Sequence, residues 1–180
     1  MAHITSSVEY GIHCLLWLSG SAGVALSSRD LAELQGVSPS FLAKIFPKLE
    51  KAGIVVASEG VRGGYRLAKP AAEITFLDVV DAIEGEKPLF ECQNIRTRCA
   101  VFDGEAPNWA CEGVCGVHGV MLQAEKAMRD ALAKKSLADV GTAFMRKAPE
   151  SFGTDVGNWI DDRVKGRKPG RTPKNPGPPG

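Results

Sequence analysis

Between Thr5 and Lys51 the apolar positions recur at three- and four-residue intervals in three successive blocks. In "TSSVEYGIHCLLWLSG", Val8, Ile12, Leu15, Leu16 and Leu18 fall mostly on one helical face behind the candidate caps Thr5, Ser6 and Ser7, and Gly20 ends the run. "SSRDLAELQG" repeats the pattern with a serine cap, apolar Leu31, Ala32 and Leu34, and a stop at Gly36. "VSPSFLAKIFPKLEKAG" follows at once, with Ser38 as cap, Pro39 at the first helical position, and Phe41, Leu42, Ile45 and Leu49 forming the apolar stripe. Pro47 lies inside this third helix, where a bend is expected.

The period then changes. "IVVAS" and "YRLAK", joined by "EGVRGG", read as a hairpin with a glycine-rich tip. "TFLDVVDAIEG" returns to helical spacing behind a capping box of Thr75 with Asp78. Residues 85–116 keep no period and read as a loop that holds four of the five cysteines. Residues 117–135 and 136–148 are expected to be helical, and 165–180 reads as a disordered basic tail rich in proline and glycine. The fold class is mainly α with a small β-hairpin wing: two short helices around a tight turn, then a hairpin, is the order of a winged helix-turn-helix.

Composition narrows the setting. The 180 residues are 44% hydrophobic and 24% charged, which suits one compact domain with an appended helical segment. Cysteines are few and odd in number, and the chain starts with no basic and apolar leader, so a reducing cytoplasm is expected. The apolar run "CLLWL" is far too short to span a bilayer, and no membrane partner is expected. No phosphate loop, dinucleotide fingerprint or nucleophile-base-acid set stands out, so no enzyme is expected.

The net charge of +1 conceals a division. Residues 38–69 hold six basic residues against two acidic ones, a local balance of +4, whereas residues 85–116 balance at −2. The basic half coincides with the helix-turn-helix and its wing. Ser38, Ser40, Lys44 and Lys48 fall opposite the apolar stripe of the third helix, where hydroxyl and ammonium groups can meet base edges and phosphates. Arg62, Gly63 and Gly64 give the wing a cation whose neighbouring backbone can approach a phosphate. A double-stranded DNA operator is the expected partner. The competing reading is an ordinary solvated basic surface, and the order helix, turn, helix, wing favours DNA.

The segment "CEGVCGVHG" poses a separate question of ligation. Soft thiolates select iron-sulfur clusters or zinc, and a cluster takes about four donors. The candidates are Cys92, Cys99, Cys111, Cys115 and His118 in and after the loop, with Glu9 and His13 on the first helix. Glu9 and His13 are separated by four, so they project from one helical face. Each has a plainer reading: His13 as a satisfied core histidine, His118 as an exposed residue opening a helix, and Cys92 and Cys99 as free thiols. Cys14, flanked by leucine, reads as a small buried hydrophobe. Structural zinc, or a dithiol switch without metal, remains an alternative.

These segments together resemble the winged-helix transcriptional regulators that bear iron-sulfur clusters, the family typified by IscR, NsrR, RirA and RsrR. The resemblance lies in "VEYGIHCLLWL", "LAELQGVSPSFLAKIFPKLEKAGIV", "GVRGGYRLAKP", "ITFLDVVDAIEG" and the cysteine loop followed by a helix ending "SLADV", about residues 5–140. It implies a homodimer paired through the helix near 117–135, binding a palindromic operator under control of a cluster, as a repressor sensing redox state, nitric oxide or iron supply. The spacing C-x6-C-x11-C-x3-C departs from the commoner three-cysteine pattern of the family, so a two-iron (2Fe-2S) cluster is expected over a four-iron (4Fe-4S) one. In RsrR-type members a glutamate and a histidine join two loop cysteines of the partner subunit, which here implies Glu9, His13, Cys111 and Cys115, with Cys92, Cys99 and His118 as alternates. The resulting division is a DNA-binding domain at 1–84, cysteine loop and dimerisation helices at 85–148, and a C-terminal segment at 149–180.

Overall fold

The computed structural model describes residues 4–58 and 63–166. The tip of the expected wing, with Arg62, and most of the basic tail lie outside those residues. In chain order the elements are α1 (Ser6–Gly20), α2 (Ser28–Gln35), α3 (Pro39–Lys51), β1 (Val55–Ser58), β2 (Gly64–Leu67), α4 (Phe76–Glu84), α5 (Asn108–Cys111), α6 (Gly116–Ala133), α7 (Leu137–Met145) and α8 (Glu150–Gly166). The described fold is mostly helical with a two-stranded antiparallel hairpin, a winged helix.

Local chemistry explains where the helices begin. Thr5 caps α1 by accepting from the Ser7 amide, and its hydroxyl donates to Glu84 at 2.5 Å, fastening the start of α1 to the end of α4. Capping boxes open α2 (Ser27 with Asp30), α4 (Thr75 with Asp78) and α7 (Ser136 with Asp139). Gly36 ends α2 at φ 72°, a left-handed turn that a side chain disfavours, and it brings α3 round onto α2.

The core forms where α1, α2, α3 and α4 meet the hairpin. Leu15, Leu26, Leu31, Leu42, Phe46, Leu49, Ile74 and Val79 are fully buried there. One expected stripe position changes. Phe41 stays at the surface with an edge-on contact to Tyr10 of α1, while Phe46 enters the core and packs on Tyr65 of the wing at 4.6 Å between ring centroids. Pro47 leaves α3 unbroken: it withholds a donor from the Ala43 carbonyl, and both residues face solvent, which supplies the missing partner.

The wing is seated at its base. β1 and β2 pair from Val55↔Leu67 to Ser58↔Gly64, and on the other edge Tyr65 exchanges two hydrogen bonds with Leu26. Gly64 runs so close to that segment that a Cβ would stand 2.5 Å from the Leu26 carbonyl carbon and 2.8 Å from the Ser27 nitrogen. Only a hydrogen fits.

Beyond the head, α6 buries none of its 18 residues, and Val117, Val120 and Leu122 are exposed along it. It is tied to α4 by a two-pronged Arg129–Asp81 ion pair at 2.9 and 2.8 Å. The turn into α7 closes on the head through Phe76 N–H to the Lys135 carbonyl and Leu137 N–H to the Ile74 carbonyl, both 2.9 Å. Helix α8 was not foreseen. It contains Lys165 and Gly166, expected in the tail, and its stripe Phe152, Val156, Trp159, Ile160 and Val164 packs back on the core, with Ile160 buried. Phe152 stacks between Trp17 and Phe144, and Arg163 pairs with Glu33 while lying over Trp159.

Gly64→Ala is expected to destabilise the protein by about 2 kcal/mol or more, because the neighbouring atoms are backbone and cannot turn aside. Thermal unfolding beside the control Gly116→Ala, where nothing lies within 4 Å, checks this; equal melting temperatures would refute the close seating of the wing.

Candidate functional site

The helix-turn-helix presents α3 outward. Ser40, Ala43, Lys44, Pro47 and Lys51 form its exposed stripe, opposite buried Leu42, Ile45, Phe46 and Leu49. Ser38, the N-cap residue, makes no side-chain cap; its hydroxyl lies 2.8 Å from that of Ser40, so the pair stands at the front of the helix as one small hydroxyl cluster. Lys44 has no hydrogen bond or ion pair among the described residues, leaving its ammonium to solvent or an anion. Lys48 is differently placed: its ammonium donates to the Ile83 carbonyl at 2.6 Å, neutralising the carbonyl end of α4. Gly63 and Gly64 are half-buried at the turn end of the paired strands. Arg66, exposed on β2, is a cation on the same side of the chain's charge division that the sequence reading did not single out.

Glu9 and His13 reach a groove between α1, α4 and α6. Both side chains are exposed, and neither has a hydrogen-bond or ion-pair partner among the described residues. His13 is therefore not a satisfied core histidine. The groove, about 490 Å³, is lined by Ile4, Val8, Ile12, Phe76, Val80 and Leu132 besides this polar pair. Between the two ligand candidates on α1 lie Tyr10, against Phe41, and Gly11, where a Cβ would meet Ile83 at 2.6 Å and Ile45 of α3 at 3.5 Å. The turn of α1 that displays Glu9 and His13 is thus the turn that rests on the recognition helix.

The loop from residue 85 gains structure that its sequence hides: 3-10 turns at Ile95–Arg98 and Ala100–Phe102, then α5. Cys111 ends α5 and is exposed, as is Cys99; Cys92 and Cys115 are half-buried. Cys115 caps the start of α6. Its thiol is held below the ordinary range by the backbone N–H groups of His118 and Val117, helped by the Arg96 charge and by a hydrogen bond from Cys92. The fold thus brings Cys92 and Cys115 together across 22 intervening residues. His118 is half-buried with its ring 6.1 Å from that of Phe90. Cys14 is fully buried, as a small core hydrophobe, and burial alone pushes its thiol up to about 12. Within one subunit the described donors gather into no group of three or more histidine, cysteine, aspartate or glutamate side chains.

A winged helix with a basic outward recognition helix, followed by an uncovered helix and a cysteine loop, defines a DNA-binding transcriptional regulator. The chain belongs to the Rrf2 family, described as iron-dependent transcriptional regulators, whose profile matches residues 4–143. It is similar to YwgB of Bacillus subtilis, named as an HTH-type transcriptional regulator, at 29% identity over 90% of this chain and 97% of the relative. It is also 33% identical to the rrf2 protein of Nitratidesulfovibrio vulgaris, over 76% of this chain and 85% of that one. Two solved structures share the fold at 21% identity and a TM-score of 0.60: CymR, titled the global cysteine regulator of B. subtilis, over 79% of this chain and 98% of that one, and IscR of T. potens, over 82% and 92%. These relatives are transcriptional regulators rather than enzymes, and regulators of this fold bind DNA, typically as dimers. No described helix is long and apolar enough to cross a membrane.

The placement of Lys44 and Lys48 separates two roles, and the wing's Arg62 is expected to share that of Lys44. Lys44→Ala and Arg62→Ala should each weaken operator binding and reduce the slope of log affinity against log salt by roughly one counterion. Lys48→Ala should leave that slope near wild type and instead lower stability by about 1 kcal/mol or more, because the Ile83 carbonyl loses its cation. Fluorescence anisotropy across a salt series, with thermal unfolding, checks both; an unchanged slope for Arg62→Ala would remove the wing from the interface.

Proposed function

We propose that this chain is an iron-sulfur-dependent repressor that binds a palindromic operator as a homodimer and responds to redox state, nitric oxide or iron supply. The carrying observation is the pair Glu9 and His13, exposed, unpartnered among the described residues, and set on the turn of α1 that rests against the recognition helix. The donor chemistry fits a two-iron cluster: a carboxylate and an imidazole on α1, and soft thiols in the loop, of which Cys115 is already biased toward thiolate. When bound, such a cluster supplies reversible one-electron chemistry and ligands that reactive small molecules can displace.

Four donors need more than one described subunit offers in one place, and a cluster shared across the dimer meets that need. Glu9 and His13 of one subunit would join two loop cysteines of its partner. The family resemblance implies Cys111 and Cys115 for that role, with Cys92, Cys99 and His118 as alternates. Cys92, whose side chain acts on the Cys115 sulfur, is the alternate that supports a different pairing with Cys115. The loop runs directly into α6, whose exposed Val117 and Val120 share one face and supply an apolar contact for a second copy. The same Cys92 and Cys115 contact supports a second reading, a dithiol switch without metal.

Movement of α1 is the route to DNA. Gly11 lets the α1 backbone lie directly on Ile83 and Ile45, so a force on Glu9 and His13 is transmitted to α3 by packed atoms rather than by a flexible loop.

Anaerobically purified protein should be coloured and contain iron with acid-labile sulfide; colourless protein with stoichiometric zinc, or with neither metal, sinks the cluster reading. His13→Ala and Cys115→Ala should each lose the cluster as folded dimers, whereas Cys14→Ala should keep its spectrum. Mixing the two defective variants regenerates one composite site in each heterodimer, so about a quarter of the wild-type cluster content should return with random pairing. Verified heterodimers that recover none would place all the ligands on one chain. Comparing Cys92→Ala with Cys111→Ala then decides which thiol accompanies Cys115.

A further inference from the structure

Arg96 makes an arrangement that no other arginine in the described residues repeats. Its guanidinium donates to three consecutive carbonyl oxygens: Nη2 to Cys111 at 2.7 Å and to Gly113 at 2.8 Å, and Nη1 to Glu112 at 3.1 Å. Its Nε donates to the Asn94 side-chain oxygen at 3.0 Å, which fixes the plane of the fork. Asn94 is itself held in a left-handed conformation, φ 50°, at the start of the turn Ile95–Arg98. The side chain is half-buried, although the loop around it is largely exposed.

Three carbonyl dipoles aimed at one point repel one another unless a cation stands at that point. The chain reaches this shape because α5 is only four residues long and ends at Cys111, and Gly113 then turns with φ 63°. Cys111 and Gly113 are both held by Arg96, and Cys115 is held by the start of α6, so Val114 alone spans the gap between the two anchors. The fork therefore decides where the run from Cys111 to Cys115 sits. Its charge also acts on the Cys115 sulfur.

We propose that Arg96 is a positioning residue for the metal centre. Its fork fixes the loop from Cys111 to Cys115 in a single conformation, and its permanent positive charge favours the more electron-rich state of a thiolate-bound centre. The second half rests on the iron-sulfur reading above; the first stands on the loop alone. Lysine separates the two, because it retains the charge but cannot span three acceptors in a plane.

The test uses the full-length dimer with Arg96→Gln, Arg96→Lys and Asn94→Ala. In cluster-free protein, hydrogen exchange across 111–115 should rise by about tenfold or more in Arg96→Gln and Arg96→Lys, and less in Asn94→Ala, where only the aim of the fork is lost. In cluster-loaded protein, Arg96→Gln should lose its cluster faster and show a more negative midpoint potential, whereas Arg96→Lys should lose its cluster equally fast at a potential near wild type. Wild-type exchange in Arg96→Gln overturns the positioning role. Faster exchange with an unchanged potential overturns the electrostatic one. A protein that takes up no cluster defeats the function proposed above and the electrostatic half with it, while exchange in the cluster-free dimer still decides the other half.

Discussion

The contact on which the rest of this structure depends is the seating of α1 on α3 and α4 at Gly11. Gly11 itself puts no side chain there, and a Cβ would enter the space of the Ile83 side chain. Because the backbone of α1 is that close, the residues on either side of Gly11 have fixed destinations. Val8 and Leu15 go into the core, Tyr10 meets Phe41, and Glu9 and His13 are turned to the groove. A larger residue at position 11 would first have to displace the end of the Ile83 side chain of α4, while the contact with Ile45 of α3 is an ordinary one.

Electrostatics at helix ends arranges much of what surrounds this contact. Lys48 satisfies the carbonyl end of α4, Thr5 and Glu84 join the start of α1 to the same place, and the first amides of α6 favour a thiolate at Cys115. Thr5 does what its position as a candidate cap predicts, whereas Lys48 and Cys115 meet backbone needs that the sequence alone invites one to overlook. Lys48 is the clearest case: a helical wheel turns it outward with Lys44, yet the length of its stem lets the ammonium fold back to Ile83. The basic balance of residues 38–69 therefore overstates the charge free to meet phosphate.

Elements with local causes were legible in the sequence. The capping box at Thr75 and Asp78, Pro39 at the start of α3, the stop at Gly36 and the hairpin after it all follow from chemistry within a few residues, and together they spell a winged helix. What escaped depends on partners distant in sequence. Phe41 and Phe46 both lie near the edge of the apolar stripe, and it took Tyr10 and Tyr65 to decide which enters the core. Helix α8 has a regular stripe from Phe152 to Val164, but Gly153, Gly157 and a run of polar residues dilute it, and its stability comes from Trp17 and Glu33 in the head. Of the candidate site, Glu9 and His13 were legible because four residues is one helical turn. The adjacency of Cys92 and Cys115 was not, since no periodicity links positions so far apart.

Helix α8 lies beyond the stretch that matches the family profile, residues 4–143, and it bears on how α1 can respond. Trp17, near the C-terminal end of α1, donates to Gln35 of α2 at 2.8 Å and stacks on Phe152 of α8, while Arg163 of α8 pairs with Glu33 of α2. At the other end Thr5 is fastened to Glu84 of α4. A helix held at both ends and packed without a side chain at Gly11 cannot absorb a local displacement by bending or fraying. A push at Glu9 and His13 must instead move α1 with its partners, of which α4 is nearest at Gly11 and α3 next. Between the two fastenings Tyr10 lies against Phe41, close to the end of α3 that presents Ser38 and Ser40.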